Sequence, residues 1–237
     1  MSTGSRWIWR LSLVVLIVGI GAGGFFGLSQ SSLLAIDNIT VDGNHAVATD
    51  QILATVTPLL KGRSLLSFSF DDAGRALSQF PFIERVDVQR DFPHTIHLHV
   101  EERQPLAYLA TGGGNLFLSA DGYVLASKPA PDPAFPLLTV KGPCTANPGQ
   151  KIDCPDVNQG VRFLGNIPVD FDQQIASANV YDGDISARTK ANINIHFGTL
   201  DNYNFKFEVL KQLIARSVAG GSIDVSVPDR PVTKQPS

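Results

Sequence analysis

Four residues in one short stretch, His94, His97, His99 and Glu101, are of types that bind transition metals or move protons near neutral pH. His97 and His99 are two apart, so on a strand both imidazoles project to the same side. A solvated strand face explains the same residues, and no Cys, Asp or His elsewhere is placed to complete a ligand set, so no metal is assigned. Asp182 and Asp184 flank Gly183, and paired acids hydrolyse glycosides only inside a substrate cleft; Asp-Gly at this spacing is turn chemistry. No Gly-x-Ser-x-Gly or Ser-x-x-Lys constellation of convincing context supplies an activated serine. Gly112, Gly113 and Gly114 are followed by neither a lysine nor a helix start, so they do not form a phosphate loop. The inventory implies no catalysis, no cofactor and no small-molecule substrate.

The elements that position these residues begin with an unbroken apolar stretch from Leu11 to Leu28, behind Arg6 and Arg10. As a helix it is about 27 Å long, enough to cross a bilayer once, with Trp7 and Trp9 at headgroup level. Both early charges are basic, which places residues 1–10 in the cytoplasm and everything after Leu28 outside. A cleaved signal peptide is the competing reading, although the run is long and its small residues fall inside it. Gly19, Gly23 and Gly27 recur at four-residue spacing, a smooth face for another membrane helix or simply common membrane-helix glycine.

The remaining 200 or so residues suffice for two domains. The whole chain has 19 basic residues, two of them Arg6 and Arg10, against 22 acidic ones, without a basic cluster, which argues against nucleic acid as a partner. Cys144 and Cys154 are the only cysteines, in a Pro-rich and Gly-rich segment on the expected outer side. A disulfide is expected there, two unpaired thiols being the alternative.

Residues 36–105 read as strand, helix, helix, strand, strand. Ile39 to Asp42 alternates and stops at Gly43-Asn44, and a helix with Ile52, Leu53, Val56 and Leu60 follows, opened by Thr49 or Asp50. Asp71 and Asp72 open a second helix bearing Ala73, Ala76, Leu77 and Phe80, and Pro81 halts it. Ile83 to Arg90 and Thr95 to Glu101 alternate strictly around the turn Asp91-Phe92-Pro93.

Residues 106–230 read as a mixed or antiparallel sheet with a late helix. Strands are expected at Leu106 to Ala110, across Asn115 to Ser127 with a hairpin at Ala120-Asp121-Gly122-Tyr123, and at Ile175 to Tyr181, Asp184 to Arg188 and Ala191 to Phe197. The helix after Asp201 carries Phe205, Val209, Leu210, Leu213 and Ile214 as its apolar stripe, with Lys206, Glu208, Lys211 and Gln212 opposite. Ser222 to Val227 alternates as a final strand ending at Pro228, and residues 231–237 are a tail.

The order of the first block, with Ile-Thr-Val-Asp-Gly-Asn from Ile39, Phe-Pro-Phe-Ile-Glu-Arg-Val-Asp-Val from Phe80 and Leu-His-Val-Glu-Glu-Arg-Gln-Pro-Leu-Ala from Leu98, closely resembles a POTRA domain. It looks like the kind in the FtsQ/DivIB family of bacterial cell-division proteins, and the likeness continues through Leu116 to Leu125 and Ile223 to Arg230. The resemblance implies an α+β chain with one transmembrane helix, a POTRA domain and a distal sheet domain, anchored in the cell membrane at the division septum. It also implies a noncatalytic scaffold for bitopic partners resembling FtsB and FtsL, tied to the septal peptidoglycan synthase complex. In the family, the late sheet takes a partner strand, which points here to Ser222, Ile223, Asp224, Val225, Ser226, Val227 and Arg230. A POTRA-bearing adaptor for protein assembly or secretion is the alternative.

Overall fold

The computed structural model describes residues 34–235, apart from 68, 169–170, 172–173 and 217–218. The stretch Leu11 to Leu28, with Gly19, Gly23 and Gly27, lies outside the described residues, and no described helix is long and apolar enough to cross a membrane. The chain divides into two units at Glu102 and Arg103.

In the first unit β1 (Asn38–Asp42), α1 (Thr49–Leu60), α2 (Phe70–Leu77), β2 (Ile83–Asp91) and β3 (Thr95–Glu102) form a three-stranded sheet in the order β1-β3-β2. β3 is central, parallel to β1 and antiparallel to β2. Its period of two sends Ile96, Leu98 and Val100 into a core with Ile52, Val56, Leu60 and Leu77, while the histidines face outward. Neither Thr49 nor Asp50 caps α1: the N-cap is Ala48, without a side-chain bond. Asn44 organises the entry instead, its Nδ2 donating to the Val47 carbonyl at 2.7 Å and to Thr49 Oγ1 at 3.0 Å. The Glu102 carboxylate then accepts from the Ala46 and Val47 amides at 2.8 and 3.0 Å, tying the end of β3 to the same loop.

The second unit is one nine-stranded sheet. Its strands are β4 (Pro105–Thr111), β5 (Gly114–Ser119), β6 (Val124–Lys128), β7 (Leu137–Val140), β8 (Ile175–Tyr181), β9 (Asp184–Thr189), β10 (Asn194–Gly198), β11 (Ser222–Asp224) and β12 (Val232–Lys234), in the order β12-β11-β10-β9-β8-β7-β4-β5-β6. Two helices, α3 (Pro155–Gly165) and α4 (Tyr203–Ile214), pack on it. A Cβ at Gly160 would stand 2.5 Å from Leu138 Cδ1, so only glycine lets α3 lie this close to β7 without a shift in that leucine.

Five features depart from the sequence reading. β7 and α3 were not expected, and the supposed tail contains β12, so the chain does not end its sheet at Ser222 to Val227. The strand expected from Ala191 starts only at Asn194, because Asn192 adopts a φ of 61° and Thr189 Oγ1 accepts from the Ile193 amide at 3.0 Å. The stripe of α4 holds at Val209, Leu210, Leu213 and Ile214 but not at its start: Phe205 is 48 % exposed, whereas Lys206, expected on the polar side, is 2 % exposed beside Phe207 and Leu210. Its ammonium donates to the carbonyls of Phe197 at 3.0 Å and Thr199 at 2.8 Å, which is what makes a buried lysine tolerable.

Cys144 and Cys154 are joined as a disulfide, with Cα atoms 6.2 Å apart. The enclosed loop meets the start of β6 and the turn before it. The Val124 amide donates to the Gln150 carbonyl at 2.9 Å, the Gly149 amide to the Val124 carbonyl at 2.8 Å, and the Ile152 amide to the Gly122 carbonyl at 3.0 Å. Replacing both cysteines by serine is expected to lower stability by about 2 to 3 kcal/mol and to speed exchange of the Val124 amide. Chemical denaturation and amide exchange measure the two effects; unchanged exchange at Val124 would show that the loop holds the edge without its bridge.

Candidate partner-binding edge of the distal sheet

The residues expected to take a partner strand do not lie at an edge. Ser222, Ile223 and Asp224 pair in parallel with Asn194, Ile195 and His196 on one side, and antiparallel with Lys234, Thr233 and Val232 on the other. Ile223 and Val225 are 1 % and 0 % exposed and belong to the core, and the Val225 amide donates to the His196 carbonyl at 2.9 Å. Ser226 folds back, its amide and hydroxyl reaching Asp224 Oδ1 at 2.9 and 2.6 Å. Val227 and Arg230 are exposed at the turn that leads into β12.

The sheet therefore ends at β12. All three of its residues are exposed, and among the described residues no strand pairs with its outer side. It is short, follows Pro231 and carries Lys234, features that discourage indiscriminate pairing while leaving a row of backbone donors and acceptors. Val227 and Val232, 57 % and 50 % exposed, add apolar surface on either side of the turn. The sequence signal for β12 was modest but real: two β-branched residues after a Pro-Asp-Arg-Pro turn.

Behind the edge, three strands are held together by charge. His196 on β10 has Nε2 3.0 Å from Asp184 Oδ1 on β9 and Nδ1 3.2 Å from Asp224 Oδ2 on β11. Burial pulls the imidazole pKa down, and the bonds to Asp224 and Asp184 outweigh it, leaving His196 above its ordinary value. Asp224 is raised by burial but lowered overall by Ser226 and His196. Burial, against the attraction of Asp201, Asp184 and Asp224, leaves the Lys206 ammonium below its usual value.

The other groups singled out from the sequence are dispersed. His97 Nε2 and His99 Nδ1 both contact the Asp42 carboxylate, at 2.9 and 2.5 Å, Glu101 meets Arg85 at 2.7 Å, and His94 Nδ1 lies 3.0 Å from the Ala35 carbonyl. The bond to His99 is the largest influence holding Asp42 below the usual carboxylate range. Among the described residues no group of three or more His, Cys, Asp or Glu is arranged to hold a metal ion. Asp182 is occupied by Lys141 at 2.7 Å, and Asp184 by His196.

The folded state binds the His196 proton more tightly than the unfolded chain does, so this stabilisation is complete below about pH 6.5 and fades as pH rises through the raised folded value. Denaturation midpoints taken at pH 6 and pH 8 should therefore fall for the native chain and fall less for His196→Gln. Equal pH dependence in the two proteins would contradict the clasp.

Residues 34–103 match the FtsQ-type POTRA domain family. The chain is 28 % identical over 204 residues to a cell division protein FtsQ of Streptomyces griseus, covering 85 % of this chain and 97 % of that protein. It is 27 % identical to one of Mycobacteroides abscessus, over 94 % of this chain and 69 % of the relative. A third FtsQ, of Streptomyces venezuelae, is 26 % identical over 90 % of this chain and 79 % of its own length. The chain carries a POTRA domain of the FtsQ type and is similar, over most of its length, to FtsQ cell-division proteins.

Proposed function

We propose that this chain is a noncatalytic, membrane-anchored scaffold of the division apparatus, in which the outer edge of β12 accepts a strand from a bitopic division protein resembling FtsB. A companion resembling FtsL joins the same assembly, and the assembly helps to control septal peptidoglycan synthesis. The observation that carries this reading is the outer side of β12, an exposed strand at the end of the sheet with which no described strand pairs. Strand addition supplies affinity through main-chain bonds and selectivity through alternate side chains, which suits an exposed strand of three residues. The expected anchor at Leu11 to Leu28, with Gly19, Gly23 and Gly27 on one face, would hold the platform in the cell membrane and at the septum.

Successive residues of an antiparallel strand turn their amides to opposite sides, so Val232→Pro together with Thr233→Pro removes a donor facing β11 and one facing outward. Recovery of the bitopic proteins in a pulldown from cells should fall at least tenfold, about 1.4 kcal/mol. The distal unit should stay folded by circular dichroism, because β12 buries none of its side chains. Native recovery of both partners by the double variant would reject β12 as the site.

A further inference from the structure

The face of the distal sheet opposite α3 and α4 holds a concavity of about 810 Å³ lined by short polar side chains. Strand register arranges them in rows. Arg188 on β9 stands opposite Asn194 on β10, which stands opposite Ser222 on β11 and, through it, Lys234 on β12. One step along the strands, Ser186, His196, Asp224 and Val232 form a second row. The rows differ in charge balance. In the second row and beside it, Asp184 and Asp224 are each engaged by His196. In the first, Arg188 Nε donates to the neutral Asn194 Oδ1 at 3.0 Å, and among the described residues neither Arg188 nor Lys234 has an acid within ion-pair distance.

From this geometry we infer that the face binds an extended acidic peptide segment, laid across the strands along the first row, with one carboxylate at Arg188 and another at Lys234. The spacing sets the pattern. Three inter-strand steps of about 4.8 Å separate the backbone positions of Arg188 and Lys234 by about 14 Å, and an extended chain rising about 3.4 Å per residue places same-side residues i and i+4 the same distance apart. Between the cations, Asn194 and Ser222 offer donors and acceptors to the peptide backbone. The carboxylates of Asp224 and Asp184 repel an acid that strays from the row, which fixes the peptide's placement. Among the described residues no aromatic side chain lines this face, which gives bases no platform on which to stack. This surface is distinct from strand addition, because the peptide lies over the sheet rather than beside its edge.

The test uses the full chain and a fluorescein-labelled, end-capped Glu-Thr-Ser-Thr-Glu peptide, read by anisotropy at low and high salt. Binding should be at least tenfold tighter than for Gln-Thr-Ser-Thr-Gln or Glu-Thr-Glu-Thr-Ser and should weaken with salt. Arg188→Gln, an exposed change three strands from the edge, should lower affinity about threefold to fivefold while leaving the pulldown of bitopic partners intact. Carbodiimide coupling should join a peptide carboxylate to the Lys234 ammonium, located by mass mapping. Equal binding of the amide peptide, no effect of Arg188→Gln, or tighter binding of an oligogalacturonate than of the peptide would each overturn the assignment.

Discussion

A sheet of nine strands has two edges, and the backbone groups along them must be paired by the chain, by water or by another protein. The distal unit treats its two edges differently. At the start of β6 the loop closed by Cys144 and Cys154 contributes carbonyls and amides at residues 149–152 to Val124 and Gly122. Along β11 the chain lays down one more short strand and then presents that strand's outer side.

The two faces of the same sheet are equally unlike. On one, α3 and α4 bury Phe163, Phe197 and Phe207, whose ring centroids lie 5.0 to 5.9 Å apart, and Lys206 is admitted only because two carbonyls receive it. On the other, the period of two exposes Ser186, Arg188, Asn194 and His196. Alternation therefore carries both stability and recognition on the same strands. His196 serves both, clasping three strands while occupying the acids beside a cationic row.

Where alternation was strict, in β2 and β3, the strands lie where periodicity put them, β8 and β9 lie where they were expected, and Asp182-Gly183 makes the turn it announces, with φ of 51° and 82°. α3 escaped because its signals sat next to a Pro-rich stretch, although Pro155 and Asp156 at its start and Val157, Val161 and Leu164 on one face were readable. β7 escaped because four residues after Phe135-Pro136 carry no period of their own, and its place between β4 and β8 is decided by tertiary pairing. Lys206 was misplaced because helical spacing fits Phe205 and Phe207 almost equally well, and only the carbonyls at Phe197 and Thr199 decide between them. For the same reason the end of the sheet lies not at Ser222 to Val227 but after Pro231: alternation reveals a strand but not which of its sides is already taken.

The central claim is that a partner strand completes the sheet at β12. Amide hydrogen exchange on the full chain, alone and with the proposed bitopic partner, tests it most directly. The account predicts fast exchange at residues 232–234 in the free chain and strong protection there in the complex, with Val124 and Gly149 unchanged. Protection gained at β1, β2 or β6, with residues 232–234 still exchanging freely, would contradict it.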